Sequence, residues 1–277
     1  MSLFEKLYLG TREEAFEYII KRYQRQGRCV VSFLYFANVM KWRLLEPQLY
    51  ERQRSYKKAL YSADILLADW IALQLFYRWW AVGRKNKTIP HNLNGSDFNP
   101  WFLHQLLQHS ESVHISLFTL YDERIGKPVS YIDHVKHSFS KMFGHSLDFV
   151  YQTSYQDRMT SQFSFDEYAK SLENNPEYRV LLMCLWTPAQ ELRIEKNKAF
   201  IQKYNILVIN AWWTIDYISW FEKRAPQWVV RARVLETPWR IIQQPKKNIK
   251  KFLVMFSIVR YWWFSIKNFC ISLAKTQ

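Results

Sequence analysis

Residues Leu181–Trp228 read LLMCLWTPAQELRIEKNKAFIQKYNILVINAWWTIDYISWFEKRAPQW, and the fold turns on how this stretch divides. An apolar run ends at Thr187-Pro188, where threonine can cap a helix and proline suits its first turn. A charged helical segment follows. A second apolar run, Ile206–Asn210, then leads to Asp216 and the Lys223-Arg224-Ala225-Pro226 corner. Strand, helix and strand in that order build a parallel pair. The polar residues fall just after the strand ends, where open α/β sheets hold their ligands.

The same alternation extends upstream. Thr11 and Glu14 have capping-box spacing and open a helix to Gln26. Arg28–Phe36, rich in β-branched and aromatic residues, reads as a buried strand that delivers Asn38 just past its end. Pro47–Ser62 is helical by pattern. Ala63–Ala68 is a short strand ending at Asp69, with a Trp-rich apolar helix behind it to Val82. Gly83–Pro100 has loop composition, and the next helix begins near Asp97 with Ser96 or Asp97 as its N-cap. Val113–Thr119 and Leu147–Tyr151 read as strands, Ile125–Phe143 and Phe165–Leu172 as helices. The pattern predicts a parallel, Rossmann-like α/β sheet with helices on both faces over residues 1–225, followed by a helical appendage, 226–277.

Charge separates these two parts. The 277 residues carry a net +15, and the segment from Lys223 onward holds 12 Lys/Arg against one acid, Glu236. Such an asymmetry points to an anionic partner, a membrane surface or nucleic acid, with a solvated basic tail as the plain alternative. Lys250–Lys275 reads KKFLVMFSIVRYWWFSIKNFCISLAK. At about 100° per residue its polar side chains gather in one arc, opposite a long apolar one. Arg260 and Lys267 interrupt any run long enough to span a bilayer. A helix lying in the membrane interface, through residues 249–277, fits better than a spanning, core or oligomerisation helix. The apolar arc also favours lipid over nucleic acid. The N-terminus lacks the basic-then-apolar pattern of a signal peptide, and three scattered cysteines fit buried thiols in a reducing compartment. The expected location is the cytoplasmic face of the cell membrane, peripheral or monotopic.

Several blocks resemble a known family. LLMCLWTPAQE is similar to the strand plus G-x-P-x-Q-E block of the WecG/TagA/CpsF glycosyltransferases. NAWWTIDYISWFEKRAPQW resembles that family's V-G-x-x-x-D-x-x-x-G-x-x-x-R-A-P-x-W block, and LETPWRIIQQPKK its closing L-E-W-x-x-R-L-x-x-x-P-x-R. Upstream, ADILLADWIA and NLNGSDFNPWFL are similar to A-D-x-x-x-x-D-G-x-x and N-x-x-G-x-D-x-x-P-x-L. The blocks stand in family order. The resemblance implies an inverting transferase that moves a sugar from a nucleotide donor to a polyprenyl-diphosphate-linked saccharide in cell-surface or extracellular polysaccharide synthesis. It implies no cofactor and no metal, and the chain has no acidic D-x-D motif. Other transferases or further copies of this chain are possible partners.

The resemblance also assigns roles. Asp69 matches the catalytic aspartate, which would take the acceptor hydroxyl's proton; a helix cap is the structural alternative. Asn38 matches an asparagine of the first block, or is a turn residue. Asn94, Gly95, Ser96 and Asp97 form a turn opening a helix, suited to sugar hydroxyls or an anion, or simply a capped loop. Gln190 and Glu191, in a first helical turn, would bind sugar or nucleotide, or else cap and face solvent. Asp216 would hold ribose or sugar hydroxyls, or cap a helix. Arg224, Arg231, Arg233 and Arg240 are diphosphate candidates, since arginine pairs with phosphate bidentately, or are solvated charges. Trp70, Leu185, Trp186 and Trp220 stand where the family carries glycine. Glycine lets backbone approach phosphate closely. The departures leave two readings: a transferase with a reshaped pocket, or a non-catalytic member that binds glycan-lipid or a partner protein in the same pathway. His134 and His137 share a helix face without a third zinc ligand at suggestive spacing.

Overall fold

The computed structural model describes residues 3–42, 44, 49–69, 73, 74, 77, 88, 90, 91, 93–120, 131–153, 165–172, 176–211, 214, 215, 218, 239 and 242. The chain divides into two compact units, one of Met1–Tyr35 with Tyr50–Arg224 and one of Phe36–Leu49 with Ala225–Gln277. In the first unit, a 3₁₀ turn at Leu3–Lys6 precedes α1, Arg12–Gln26. Strand β1 is Cys29–Tyr35, α3 Glu51–Ser62 and β2 Ile65–Asp69; α2, Phe36–Lys41, belongs to the second unit. Then come α4 (Gly95–His109), β3 (Val113–Leu120), α5 (Tyr131–Phe143), β4 (Phe149–Thr153) and α6 (Phe165–Ser171). Strand β5, Tyr178–Cys184, leads through α7 (Ala189–Lys196) and α8 (Lys198–Lys203) to β6, Ile206–Asn210.

All six strands are parallel, in the order β2-β1-β6-β5-β3-β4. The two faces follow from this order. Connections β1–β2, β4–β5 and β5–β6 step one way across the sheet, while β2–β3 and β3–β4 step the other way. A crossover of constant hand must change face when it changes direction. Ala15 and Ile19 of α1, Phe98, Phe102 and Leu106 of α4, and Val135 and Phe139 of α5 fill one core with Val31, Leu67, Leu117 and Ile209. Tyr168 of α6, Ala189 and Ile194 of α7 and Ile201 of α8 fill the opposite one with Val30, Phe118, Leu181 and Val208. The central strands, covered on both faces, are continuous apolar runs, as buried parallel strands must be.

Local chemistry sets the element ends. The expected capping box of α1 is formed: Thr11 Oγ1 accepts from the Glu14 N–H at 3.2 Å, and Glu14 accepts from the Thr11 N–H at 2.8 Å. Gly27 closes α1 at φ 65°, a left-handed conformation that glycine adopts without strain, and its N–H reaches the Tyr23 carbonyl at 2.7 Å. The charged segment expected as one helix is two. Asn197 divides it, and its side-chain amide donates at 2.8 Å to the Arg193 carbonyl that its own N–H also reaches at 3.1 Å.

At the sheet's N-terminal end a buried carboxylate holds α1 to the strands. Asp64 accepts from Arg22 at 2.9 Å, from Arg28 at 3.4 Å and from the Val30 N–H at 2.9 Å. The expected appendage 249–277 lies outside the described residues, as does most of the helix expected behind Asp69. Among the described residues no helix is long and apolar enough to cross a membrane.

Candidate active site

Asp69 is the last residue of β2, in register with Tyr35 of β1, and is half-buried. Ile65 and Leu67 lie in the core beneath α4, so strand alternation puts Asp69 on that same face. After the intervening chain, the Leu93 N–H donates to the Ala68 carbonyl at 3.0 Å, which returns the backbone beside Asp69. Helix α4 starts two residues later. Its N-cap is Asn94, in place of the expected Ser96 or Asp97. The Asn94 side-chain oxygen accepts from the Ser96 N–H at 3.0 Å and from the Ser96 hydroxyl at 2.9 Å. Asparagine reaches an N–H two residues on, whereas Ser96 is already inside the first turn. Asp97 is exposed in that turn, where the helix dipole favours negative charge.

A buried amide network ties this turn to the neighbouring strands, and it involves residues that the pattern reading did not single out. Asn99, fully buried in α4, donates to the Asn210 carbonyl at 3.1 Å and to Thr214 Oγ1 at 2.9 Å. Thr214 in turn donates to the Gly95 carbonyl at 2.9 Å. Asn210, ending β6, donates to Ser32 of β1 at 2.9 Å. The middle of β1 and the termini of β6 and α4 are thereby fixed together. The sequence signal was available: Asn99 is a lone amide among Phe98, Trp101, Phe102 and Leu103, followed by Pro100, which has no N–H for the Ser96 carbonyl.

A second polar cluster lies after β5. Pro188, joined to Thr187 by a cis peptide bond, is the N-cap of α7 and supplies no side-chain cap. The expected threonine cap is not formed. Thr187 Oγ1 donates instead to Glu191 Oε1 at 3.2 Å, and Gln190 Nε2 donates to the same oxygen at 3.0 Å. Gln190 and Glu191 are 6% and 3% exposed, so the pair is buried and does not face solvent. Burial pushes the Glu191 carboxyl up to about 7, against the opposing hydrogen bonds from Gln190, its own backbone and Thr187. Tyr56 of α3 packs nearby, its hydroxyl pushed up by burial and by the Glu191 charge. The Ala211 N–H donates to the Met183 carbonyl at 2.8 Å, linking the ends of β5 and β6. Leu185 is fully buried in the core beneath α7 and Trp186 packs against that core, so both bulky residues are taken up by packing there.

The structure thus places Asp69 with Asn94, Gly95, Ser96 and Asp97 at one part of the sheet's C-terminal edge, and Gln190 and Glu191 after β5 on the same edge. Asn38 lies in α2 of the second unit, its carbonyl accepting from the Trp42 N–H at 2.9 Å. Asp216, Arg224, Arg231, Arg233 and Arg240 lie outside the described residues, as do Trp70 and Trp220. His134 and His137 are exposed on α5, and among the described residues no group of three or more His, Cys, Asp or Glu could hold a metal ion. His114 is 3.3 Å from Asp148 and 3.0 Å from Ser116 Oγ, an order reminiscent of a hydrolase triad. Ser116 is fully buried in β3, so no substrate carbonyl reaches it.

A carboxylate and a capped helix N-terminus at the same strand ends suit group transfer to or from an anionic donor. The family model for glycosyl transferases of the WecG/TagA/CpsF family matches residues 5–272. The chain belongs to the WecG/TagA/CpsF family. It is accordingly a member of a glycosyltransferase family of polysaccharide synthesis, whose substrates are in general nucleotide sugars and lipid-linked saccharides. A search of curated proteins found no match.

Proposed function

We propose that the chain is an inverting, metal-independent glycosyltransferase that moves a sugar from a nucleotide sugar to a polyprenyl-diphosphate-linked saccharide. The observation that supports this reading is the return of the chain from β2 to α4, where the Leu93 N–H donates to the Ala68 carbonyl, so that Asp69 and Asn94 each follow one half of a backbone hydrogen bond. Inverting transfer needs a base that takes the acceptor hydroxyl's proton as the donor diphosphate leaves the sugar. Asp69 is the base. The N-terminus of α4 and the amide network behind it hold the sugar or phosphate oxygens. Asp216 binds donor hydroxyls, and Arg224, Arg231, Arg233 and Arg240 meet the diphosphate charge. The basic, Trp-rich segment 249–277 holds the enzyme on the cytoplasmic face of the membrane.

The test is transfer from a donor panel to a polyprenyl-diphosphate-linked acceptor. Asp69→Asn should lower kcat by about a hundredfold or more, the usual scale of a lost general base, with KM little changed. Equal turnover in the variant would sink Asp69 as base. Flotation with anionic vesicles should be lost without residues 249–277; unchanged flotation removes the tail from the argument. Tryptophan at Trp70 and Trp220, in place of glycine, supports a second reading as a non-catalytic glycan-lipid or partner-binding protein. Binding of the lipid-linked saccharide without binding of any nucleotide sugar selects that reading.

A further inference from the structure

The helical layers on the two faces of the sheet differ in surface charge. Helices α3, α7 and α8 share one face, with α3 packed against α7, where Lys58 reaches Glu195 at 3.6 Å. Arg52, Arg54 and Lys58 of α3, Lys196 of α7, and Lys198 and Lys203 of α8 are all exposed. Against these six cations the three helices expose one acid, Glu51; Glu191 is buried, and Glu195 is half-buried and engaged by Lys58. The opposite layer, α1, α4 and α5, exposes five Lys/Arg and five Asp/Glu, so its charges cancel. Tyr50, which caps the start of α3 two residues before Arg52, is 77% exposed.

Folding gives no reason for this imbalance. Like charges on one layer repel, and that repulsion lowers stability unless an opposite charge is brought to it. The six cations extend along three helices over one face of the sheet, which suits a plane of anionic groups better than a single ligand. A tyrosine beside cations is the pattern of side chains at headgroup depth, where the ring is amphipathic and its neighbours meet lipid phosphate. We propose that the α3–α7–α8 layer docks on an anionic lipid bilayer, which lays the sheet along the membrane plane and turns the α1–α4–α5 layer to solvent. Contact is through headgroups, without insertion. It is separate from the segment 249–277, adds to that segment's attachment, and does not depend on transfer activity.

Flotation of the full chain with phosphatidylcholine vesicles, with and without phosphatidylglycerol, tests the layer. Arg52→Gln, Arg54→Gln, Lys198→Gln and Lys203→Gln together remove four charges from it. Lys21→Gln, Arg25→Gln, Lys136→Gln and Lys141→Gln remove four from the opposite layer and serve as the control. All eight residues are exposed, so both variants should keep the wild-type denaturation midpoint. The first variant should lose about tenfold or more in partition onto anionic vesicles, and the control little. That loss should shrink at high salt and vanish on phosphatidylcholine alone. Equal losses in the two variants would mean that net charge acts without a docking face, and no loss in the first would leave the tail to act alone; either overturns the proposal. If the four cations govern binding of a polynucleotide or an acidic peptide but not of vesicles, the layer serves that polymer and the lipid assignment fails. Orientation is read separately. In a Cys270→Ser background, with Cys29 and Cys184 buried, a fluorophore on Ser55→Cys of α3 should be quenched by a nitroxide-headgroup lipid, and one on Ser140→Cys of α5 should not. Equal or reversed quenching overturns the proposal. Neither measurement uses a sugar donor or acceptor, so a failure of the transferase reading leaves both results readable.

Discussion

Glu191 shows how much a single residue's role depends on burial. A glutamate in a first helical turn ordinarily faces solvent and complements the dipole, and it adds no pH dependence to stability near neutrality. Here it is enclosed by Thr187, Gln190 and Tyr56, and its carboxyl is pushed up to about 7 from the usual carboxylate range. The sign follows from linkage: between about 4.5 and about 7 the unfolded chain has lost a proton that the folded chain keeps, so stability falls as pH rises through that window. Chemical denaturation at pH 5 and pH 8 should show a loss on the order of 3 kcal/mol in the wild type that Glu191→Gln lacks. Equal pH dependence in the two proteins would place Glu191 in an ordinary solvated environment. Asp69, by contrast, was legible from the sequence, because a carboxylate at the end of an apolar run is visible without knowing what packs on it. Asn99 was not. Its partners Asn210 and Thr214 lie more than a hundred positions away, and only the sheet order brings them together.

At the scale of elements, each helix is set by its ends and by the face it buries. Helix α1 has a complete capping box, a left-handed glycine cap and a buried stripe of Ala15, Ile19, Ile20 and Tyr23. A methyl on Gly27 would strain the left-handed backbone and meet the Asn205 side chain. Gly27→Ala should therefore destabilise the protein by roughly 1–2 kcal/mol, read as a lower denaturation midpoint at unchanged slope. An unchanged midpoint would show that the helix end relaxes freely. Helix α4 departs from its expected start for a local reason: Asn94, two residues ahead of Ser96, wins the cap by accepting both the Ser96 N–H and hydroxyl. At the division of α7 from α8, the Asn197 side-chain amide likewise bonds locally, to the Arg193 carbonyl. Such competitions are settled by differences of about 1 kcal/mol, too small for periodicity to reveal.

For the whole molecule, the two ends of the sheet carry different work. The C-terminal end gathers Asp69, the Asn94–Asp97 turn, Gln190 and Glu191. The N-terminal end carries Asp64, a buried carboxylate with two arginines and a backbone N–H on it, which joins α1 to β1 and β2. Asp64→Asn should destabilise the fold by roughly 1–2 kcal/mol, because it leaves the partly exposed Arg22 and Arg28 without the buried carboxylate they pair with, yet leave nucleotide-sugar affinity unchanged. A variant with lowered donor affinity and wild-type stability would contradict that division of labour.

The sequence by itself determined the fold class, the family and the strand-end aspartate. Apolar runs long enough for strands alternate with helical periods, a pattern that admits a parallel sheet covered on both faces. The motif blocks survive in order although Trp70, Leu185, Trp186 and Trp220 replace glycines. The tertiary structure alone decided the strand order β2-β1-β6-β5-β3-β4, the Asn99 network and the burial of Glu191. The physical reason is range. Propensity and periodicity are properties of neighbouring residues, whereas hydrogen-bond partners and desolvation depend on which distant segments the crossovers lay side by side.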